Sequence, residues 1–255
     1  MKIEFCGQSD VGKKREKNED SFLIDESLGL FMVADGMGGH LGGEYASRLA
    51  VRTVGEILRQ LTEDPEATIS SDFTADITRD RSDAGEQLKY ALRIASQKIF
   101  EEANQNPNLR GMGTTAVVLL IRDGKGFIAN VGDSRAYLIR DNEVRQLTSD
   151  HSLVAEQLRA GFITEEELKH HKFKNIITRS VGFQTDVEID LLIRDLEEGD
   201  RILLCSDGLT NLVDDPEILK IVSKNGPKAA CQKLVDLANK KGGDDNITVV
   251  IAAMD

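Results

Sequence analysis

Between residues 115 and 147 the chain reads as four short apolar strands separated only by tight turns. Residues 115–121, 126–131 and 136–140 are β-rich, and 144–147 follows them. Asp123-Gly124 is a strong hairpin signal, and Asp141-Asn142 can turn the third strand toward the fourth. Strands joined this closely pair antiparallel, because a parallel crossover needs a dozen or more residues. The run therefore excludes a parallel sheet with alternating helices over this part of the chain.

The flanking sequence fits the same plan. Ile3 and Phe5 alternate as in a strand, and 21–24 and 29–34 read as two strands around a polar turn. Ala46, Leu49, Ala50, Thr53, Val54, Ile57, Leu58 and Leu61 recur at helical steps, which predicts a helix over 44–61. Leu88, Ala91, Leu92, Ala95 and Ile99 predict a second. Segment 152–168 reads helical with a break near Gly161, and 187–193 and 201–206 read as strands. Helices over 216–223 and 227–240 each carry proline near the start, where a missing N–H does no harm. Segment 247–253 closes the chain as a strand. The acidic, aperiodic stretch 62–83 is expected to be a surface insertion. Strands in hairpin-like runs and helices in pairs predict an α+β fold. Its expected form is a β-sandwich of two antiparallel sheets flanked by helix pairs, four layers in the order αββα.

The 255 residues suit a single domain spanning 1–255. No run of about 18 apolar residues exists, so a membrane span is not expected. The first ten residues lack the apolar core of a secretory signal, which makes a cytoplasmic protein the expectation. A net charge of −12 argues against a nucleic-acid or membrane-surface binder. Three cysteines without close spacing form neither a disulfide framework nor a zinc motif, and Cys205 and Cys231 lie in apolar stretches as core fillers.

Several aspartates share one local setting. Asp35 follows the apolar run Phe31 to Ala34, Asp133 follows a run ending at Val131-Gly132, and Asp207 follows one ending at Cys205-Ser206. Asp20 and Asp245 stand just before apolar strands. Any one of them could be an ordinary turn residue, as Asp123 is. Together, at one rim of a sandwich, they would repel strongly unless cations were bound. Oxygen ligands alone point to magnesium or manganese.

Six motifs occur in order: Arg15-x-x-Asn18-Glu19-Asp20, Asp35-Gly36-Met37-Gly38-Gly39-His40, Gly113-Thr114-Thr115, Gly132-Asp133-Ser134-Arg135, Ser206-Asp207-Gly208 and Asp245-Asn246-Ile247-Thr248. The set resembles that of the metal-dependent serine/threonine protein phosphatases of type 2C, bacterial branch. The resemblance implies hydrolysis of phosphoserine and phosphothreonine on proteins by a water bridging two ions, Mn2+ or Mg2+. Asp35 would bridge those ions, with the Gly36 carbonyl, Asp207 and Asp245 completing the protein ligands. Asp133 and Asp207 would form a third, weaker site. Asp20 would hold water, Arg15 would grip the phosphate, and His40 would be the general acid. Residues 150–182 would form a flap that selects substrate, with the basic patch 169–174 favouring acidic phosphopeptides.

Two departures from animal members stand out. Met37 replaces a histidine, which moves the acid role to His40. Asn211 replaces an aspartate, offering at best a neutral oxygen. The expected partners are phosphorylated proteins, including a serine/threonine kinase and its substrates, and the expected state is a monomer. Two alternatives remain open: an inactive phosphatase-like scaffold, and a phosphatase acting on a regulator of a sigma factor.

Overall fold

The structure is a computed structural model that describes residues 2–38, 41–63, 83–169 and 171–255. His40, His170 and nearly all of the acidic segment lie outside the described residues. The chain opens with β1 (Ile3–Asp10), β2 (Asp20–Asp25) and β3 (Leu30–Met37). Two 22-residue helices follow, α1 (Gly42–Glu63) and α2 (Ala84–Gln105). The strand run comprises a short β4 (Gly113–Thr114), then β5 (Ala116–Arg122), β6 (Lys125–Val131), β7 (Arg135–Arg140) and β8 (Glu143–Gln146). Helices α3 (Leu153–Arg159) and α4 (Glu165–Lys169) precede β9 (Asp190–Asp195) and β10 (Arg201–Cys205). The chain ends with α5 (Asp207–Thr210), α6 (Asp215–Lys224), α7 (Pro227–Lys240) and β11 (Ile247–Met254).

The expected four layers are present. One sheet has the order β1-β11-β10-β7-β8, and the other has β2-β3-β5-β6-β9 with β4 paired to β3. Every strand pair runs antiparallel. Because side chains alternate along a strand, the central strands serve two cores at once. Phe31 and Val33 of β3 meet Leu204, Val250 and Ala252 between the sheets. Leu30, Met32 and Ala34 of the same strand turn outward onto Leu58, Leu88 and Leu92 of α1 and α2. On the far side, Val249 and Ile251 of β11 pack against Val222, Leu234 and Val235 of α6 and α7. Each fully buried leucine or valine contributes about 1.5–3 kcal/mol. Burial on both faces explains why these strands read as unbroken apolar runs.

Local signals set the helix ends. Asp83 caps α2 by accepting from the Gly85 and Glu86 N–H groups. Asp214 and Glu217 form a reciprocal capping box on α6. The break at Gly161 separates α3 from α4. Among the described residues, no helix is long and apolar enough to cross a membrane.

Three expectations needed correction. Thr62 and Glu63 continue α1 and Asp83 caps α2, so the acidic segment is shorter at both ends. The strand expected over 187–193 pairs only from Asp190, opposite Asn130 near the end of β6, and runs to Asp195. Val187 instead joins the core under α2. The turn expected at Asp207-Gly208 is the start of a single helical turn.

Candidate active site

The strand directions place the aspartates at one rim. Asp20 opens β2 directly opposite Asp35 on β3. Asp133 lies between the end of β6 and the start of β7. Asp207 follows the end of β10, and Asp245 precedes the start of β11. All five therefore sit where the two sheets present the same end.

The backbone around them is tightly held. The Asp35 N–H donates to Thr115 Oγ1 at 2.9 Å, and its carbonyl accepts from the Thr115 N–H at 2.8 Å and Thr114 Oγ1 at 2.9 Å. Thr115 Oγ1 also lies 2.7 Å from Ser134 Oγ, which ties the Asp35 strand to the Asp133 loop. Gly36 has no room for a side chain. A Cβ there would stand 2.0 Å from the Gly43 carbonyl oxygen and 2.5 Å from that of Glu19. Asn246 knits the 11–19 loop to β11: its Oδ1 accepts from the Glu19 N–H, and its Nδ2 donates to the Val11 and Lys17 carbonyls, with distances of 2.8–2.9 Å.

The carboxylates have few partners for their number. Asp20 Oδ2 accepts from Ser206 Oγ at 2.8 Å, while its Oδ1 is buried with no hydrogen-bond partner. Asp207 Oδ2 accepts from Asn211 Nδ2 at 2.9 Å, and its Oδ1 is likewise buried and unpartnered. Asn211 thus turns its amide nitrogen toward the Asp207 carboxylate. Asp245 receives Arg15 Nη2 at 2.7 Å and its neighbour's Asn246 N–H at 2.9 Å. Arg15 is 53 % exposed at the mouth.

Burial and mutual repulsion act together on these groups. Burial, opposed by the nearby Thr248 and Ser206 hydroxyls, pushes Asp20 up to about 7, with Asp207 and Asp245 adding to the rise. Burial and then the charge of Asp207 push Asp133 up to about 8. Asp35 is raised well above the usual carboxylate range by burial and by the charges of Asp20, Asp207, Asp133 and Asp245. Asp207 is raised by burial and by Asp245, against the pull of Asn211 and Lys174. Such a cluster is poised to exchange protons for cations.

Buried orphan oxygens and a donor set of hard carboxylates fit a divalent cation. Among the described residues, no group of three or more Asp, Glu, His or Cys side chains is already gathered closely enough to hold a metal ion. The sequence profile of the protein phosphatase 2C family matches residues 7–242. The chain belongs to that family.

Relatives in the phosphatase 2C family match over almost their whole length. The protein phosphatase PhpP of Streptococcus pneumoniae is 41 % identical over 256 residues, covering 99 % of this chain and 98 % of PhpP. The serine/threonine phosphatase PstP/Ppp of Mycobacterium tuberculosis has a crystal structure similar to this fold, with TM-score 0.86, 34 % identity and 99 % of each chain covered. A structure of the PstP catalytic domain in complex with two manganese ions has TM-score 0.84 at 33 % identity, again covering 99 % of each chain. The fold and chemistry expected from the motifs are those of this family, and the chain is a metal-dependent protein phosphatase.

Of the predicted residues, Asp20, Asp35, Gly36, Asp133, Asp207, Asp245 and Arg15 come together at the rim, and His40 lies outside the described residues. Ser206, Asn246 and Thr115 stand within the motifs without a role assigned to them, and His151 lies outside every motif, in the expected flap. Their roles are hydrogen bonds to residues distant in sequence, and no local pattern carries that information. Beside the rim runs a groove of about 420 Å3, lined by Met37, Gly113, Ile177, Arg179, Phe183 and Val187 among others.

Proposed function

We propose that the chain hydrolyses phosphoserine and phosphothreonine monoesters of proteins at this aspartate rim. The supporting observation is the convergence of five aspartates from both sheets, two of them with a buried oxygen that no protein group satisfies. Asp35, the Gly36 carbonyl, Asp207 and Asp245 hold two divalent cations, manganese or magnesium, and Asp133 with Asp207 takes a third more weakly. Such ions neutralise charge on a phosphoryl group and make water acidic enough to act as a nucleophile near neutral pH.

The side chains supply the rest. Arg15 stands half-exposed at the mouth, held from one nitrogen by Asp245, so its planar fork can bind the phosphate through paired donors. Asp20, fixed by Ser206, keeps one oxygen free to accept a hydrogen bond from water. His40 delivers a proton to the leaving alkoxide as the general acid. No covalent phosphoenzyme is needed. Ser206 and Ser134 are locked in hydrogen bonds, and burial pushes the Cys205 thiol up to about 12.

Substrates are phosphorylated proteins, including a serine/threonine kinase and its targets, with the flap at about 150–182 and the adjoining groove receiving residues beside the phosphate. The chain works as a monomer in the cytoplasm. Steady-state phosphate release from a phosphothreonine peptide in manganese tests the assignments. Asp207→Ala lowers kcat by at least about 10^2-fold, and Arg15→Ala raises KM more than it lowers kcat. Wild-type rates in folded Asp207→Ala would overturn the rim as the reaction site.

A further inference from the structure

His151 has no part in the chemistry above, yet it is 3 % exposed and both its ring nitrogens are engaged. Its Nδ1 lies 3.1 Å from the Gly132 nitrogen, whose N–H can only donate. A neutral imidazole that accepts at Nδ1 carries its proton on Nε2. That Nε2–H faces Asp190 Oδ2 at 3.2 Å. Arg179 Nη1 stands 3.3 Å from the same Nε2, but both are donors in this tautomer. Asp190 reconciles them, because its Oδ1 accepts from Arg179 Nη1 at 2.9 Å. The main chain doubles the tie. The His151 N–H donates to the Gly132 carbonyl at 3.0 Å, and the His151 carbonyl accepts from the Thr178 N–H at 2.9 Å.

The ring therefore joins three places: the loop after β6, the first residue of β9, and the segment at 178–179. Gly132 is the residue before Asp133, and its peptide orientation decides where that carboxylate is carried. We propose that His151 is a positioning residue for Asp133: its ring ties the Val131-Gly132 peptide N–H to Asp190 and Arg179, while its main-chain N–H holds the carbonyl of the Gly132-Asp133 peptide. This inference rests on the reading of Asp133 as a cation ligand. Through this tie, a movement of the 178–179 segment is transmitted to the weakest of the cation sites.

Two amides separate the ring's two bonds. Asparagine can place its oxygen near Nδ1 and keep the Gly132 bond, whereas glutamine reaches toward Nε2 and keeps the Asp190 bond. The test is a calorimetric titration of the chelator-treated full chain with Mn2+ alone, with circular dichroism and thermal midpoints confirming that each variant is folded. His151→Gln weakens the weaker Mn2+ binding by about tenfold, the low end for partners that orient ligands, and His151→Asn stays within about threefold of wild type. In an Asp133→Asn background, His151→Gln adds less than about twofold, because the two residues act as one unit. Should His151→Gln not fold, Asp190→Ala removes the outer anchor of the same tie and carries the same expectations at smaller amplitude. An equal loss in both backgrounds, or wild-type Mn2+ affinity in folded His151→Gln, overturns the proposal and leaves His151 as packing. If Asp133→Asn alone leaves Mn2+ binding unchanged, the assignment of Asp133 falls and this inference falls with it. A shift in Asp133→Asn without one in His151→Gln overturns the inference alone.

Discussion

Asp20 and Asp133 hold protons at a pH where ordinary aspartates have lost them, at about 7 and about 8, because both are buried among other carboxylates. An unfolded aspartate titrates near about 3.9, so between roughly pH 4 and 8 the native metal-free state binds more protons than the unfolded state. Stability of the chelator-treated protein therefore falls as pH rises through that window. Urea midpoints measured from pH 5 to 8 should decline, and excess Mn2+ should flatten or reverse the decline because it binds the ionised carboxylates. A flat profile without metal would contradict the electrostatic account. The same aspartates were legible in the sequence, since each stands at the end of an apolar run. The residues that hold them were not. Asn246 reaches back to Val11, Lys17 and Glu19, and Ser206 to Asp20, across more than 180 positions. Residue type alone limits Asn211 to at best a neutral oxygen, and which end of its amide faces the rim depends on its neighbour, here the Asp207 carboxylate.

Elements were legible where one periodicity ran long enough. The 22-residue helices α1 and α2 announced themselves by an apolar stripe, and the hairpin at Asp123-Gly124 by its turn residues, with Asp123 at φ 51°. Segment 187–193 misled because its alternation continues beyond its partner. β6 ends at Val131, so the hydrogen-bonded ladder stops at Asp190 while the alternation runs on to Val187. The join between the flap and the core rests on Gly182, which has φ +94° and lies against Ile99 of α2. A Cβ at Gly182 would stand 2.1 Å from Ile99 Cγ2. Gly182→Ala is expected to cost about 1–3 kcal/mol in urea unfolding through backbone strain, with the clash added. Because Val181 pairs with Thr114 next to the groove, the same variant should raise KM for a phosphopeptide more than KM for p-nitrophenyl phosphate. An equal change for both substrates would show that the join does not position the flap.

The whole molecule is two sheets with chemistry at one end and a structural lock at the other. Arg140 of β7 binds both carboxylate oxygens of Asp200 at 2.6 Å, together with Glu197 and the Asp195 carbonyl, and Asp200 is 1 % exposed. Arg140→Ala leaves a buried charge without its partner and should lower stability by about 2 kcal/mol, with Arg140→Ala/Asp200→Asn recovering part of the loss. The lock is remote from the rim, so kcat of the folded variant should stay near wild type. The choice among phosphoproteins also belongs to this scale. Side-by-side rates on a phosphorylated serine/threonine kinase and on a phosphorylated regulator of a sigma factor would separate the two substrate classes. The central claim is that the aspartate rim is a cation-dependent centre for phosphomonoester hydrolysis. Its most direct test is phosphate release from a phosphothreonine peptide by the metal-stripped full chain, titrated with Mn2+ and then treated with chelator. The account predicts negligible release without Mn2+, saturable release with it, and loss on chelation. Release that is indifferent to Mn2+ and chelator, or none with Mn2+ or Mg2+ on any phosphopeptide, would contradict it.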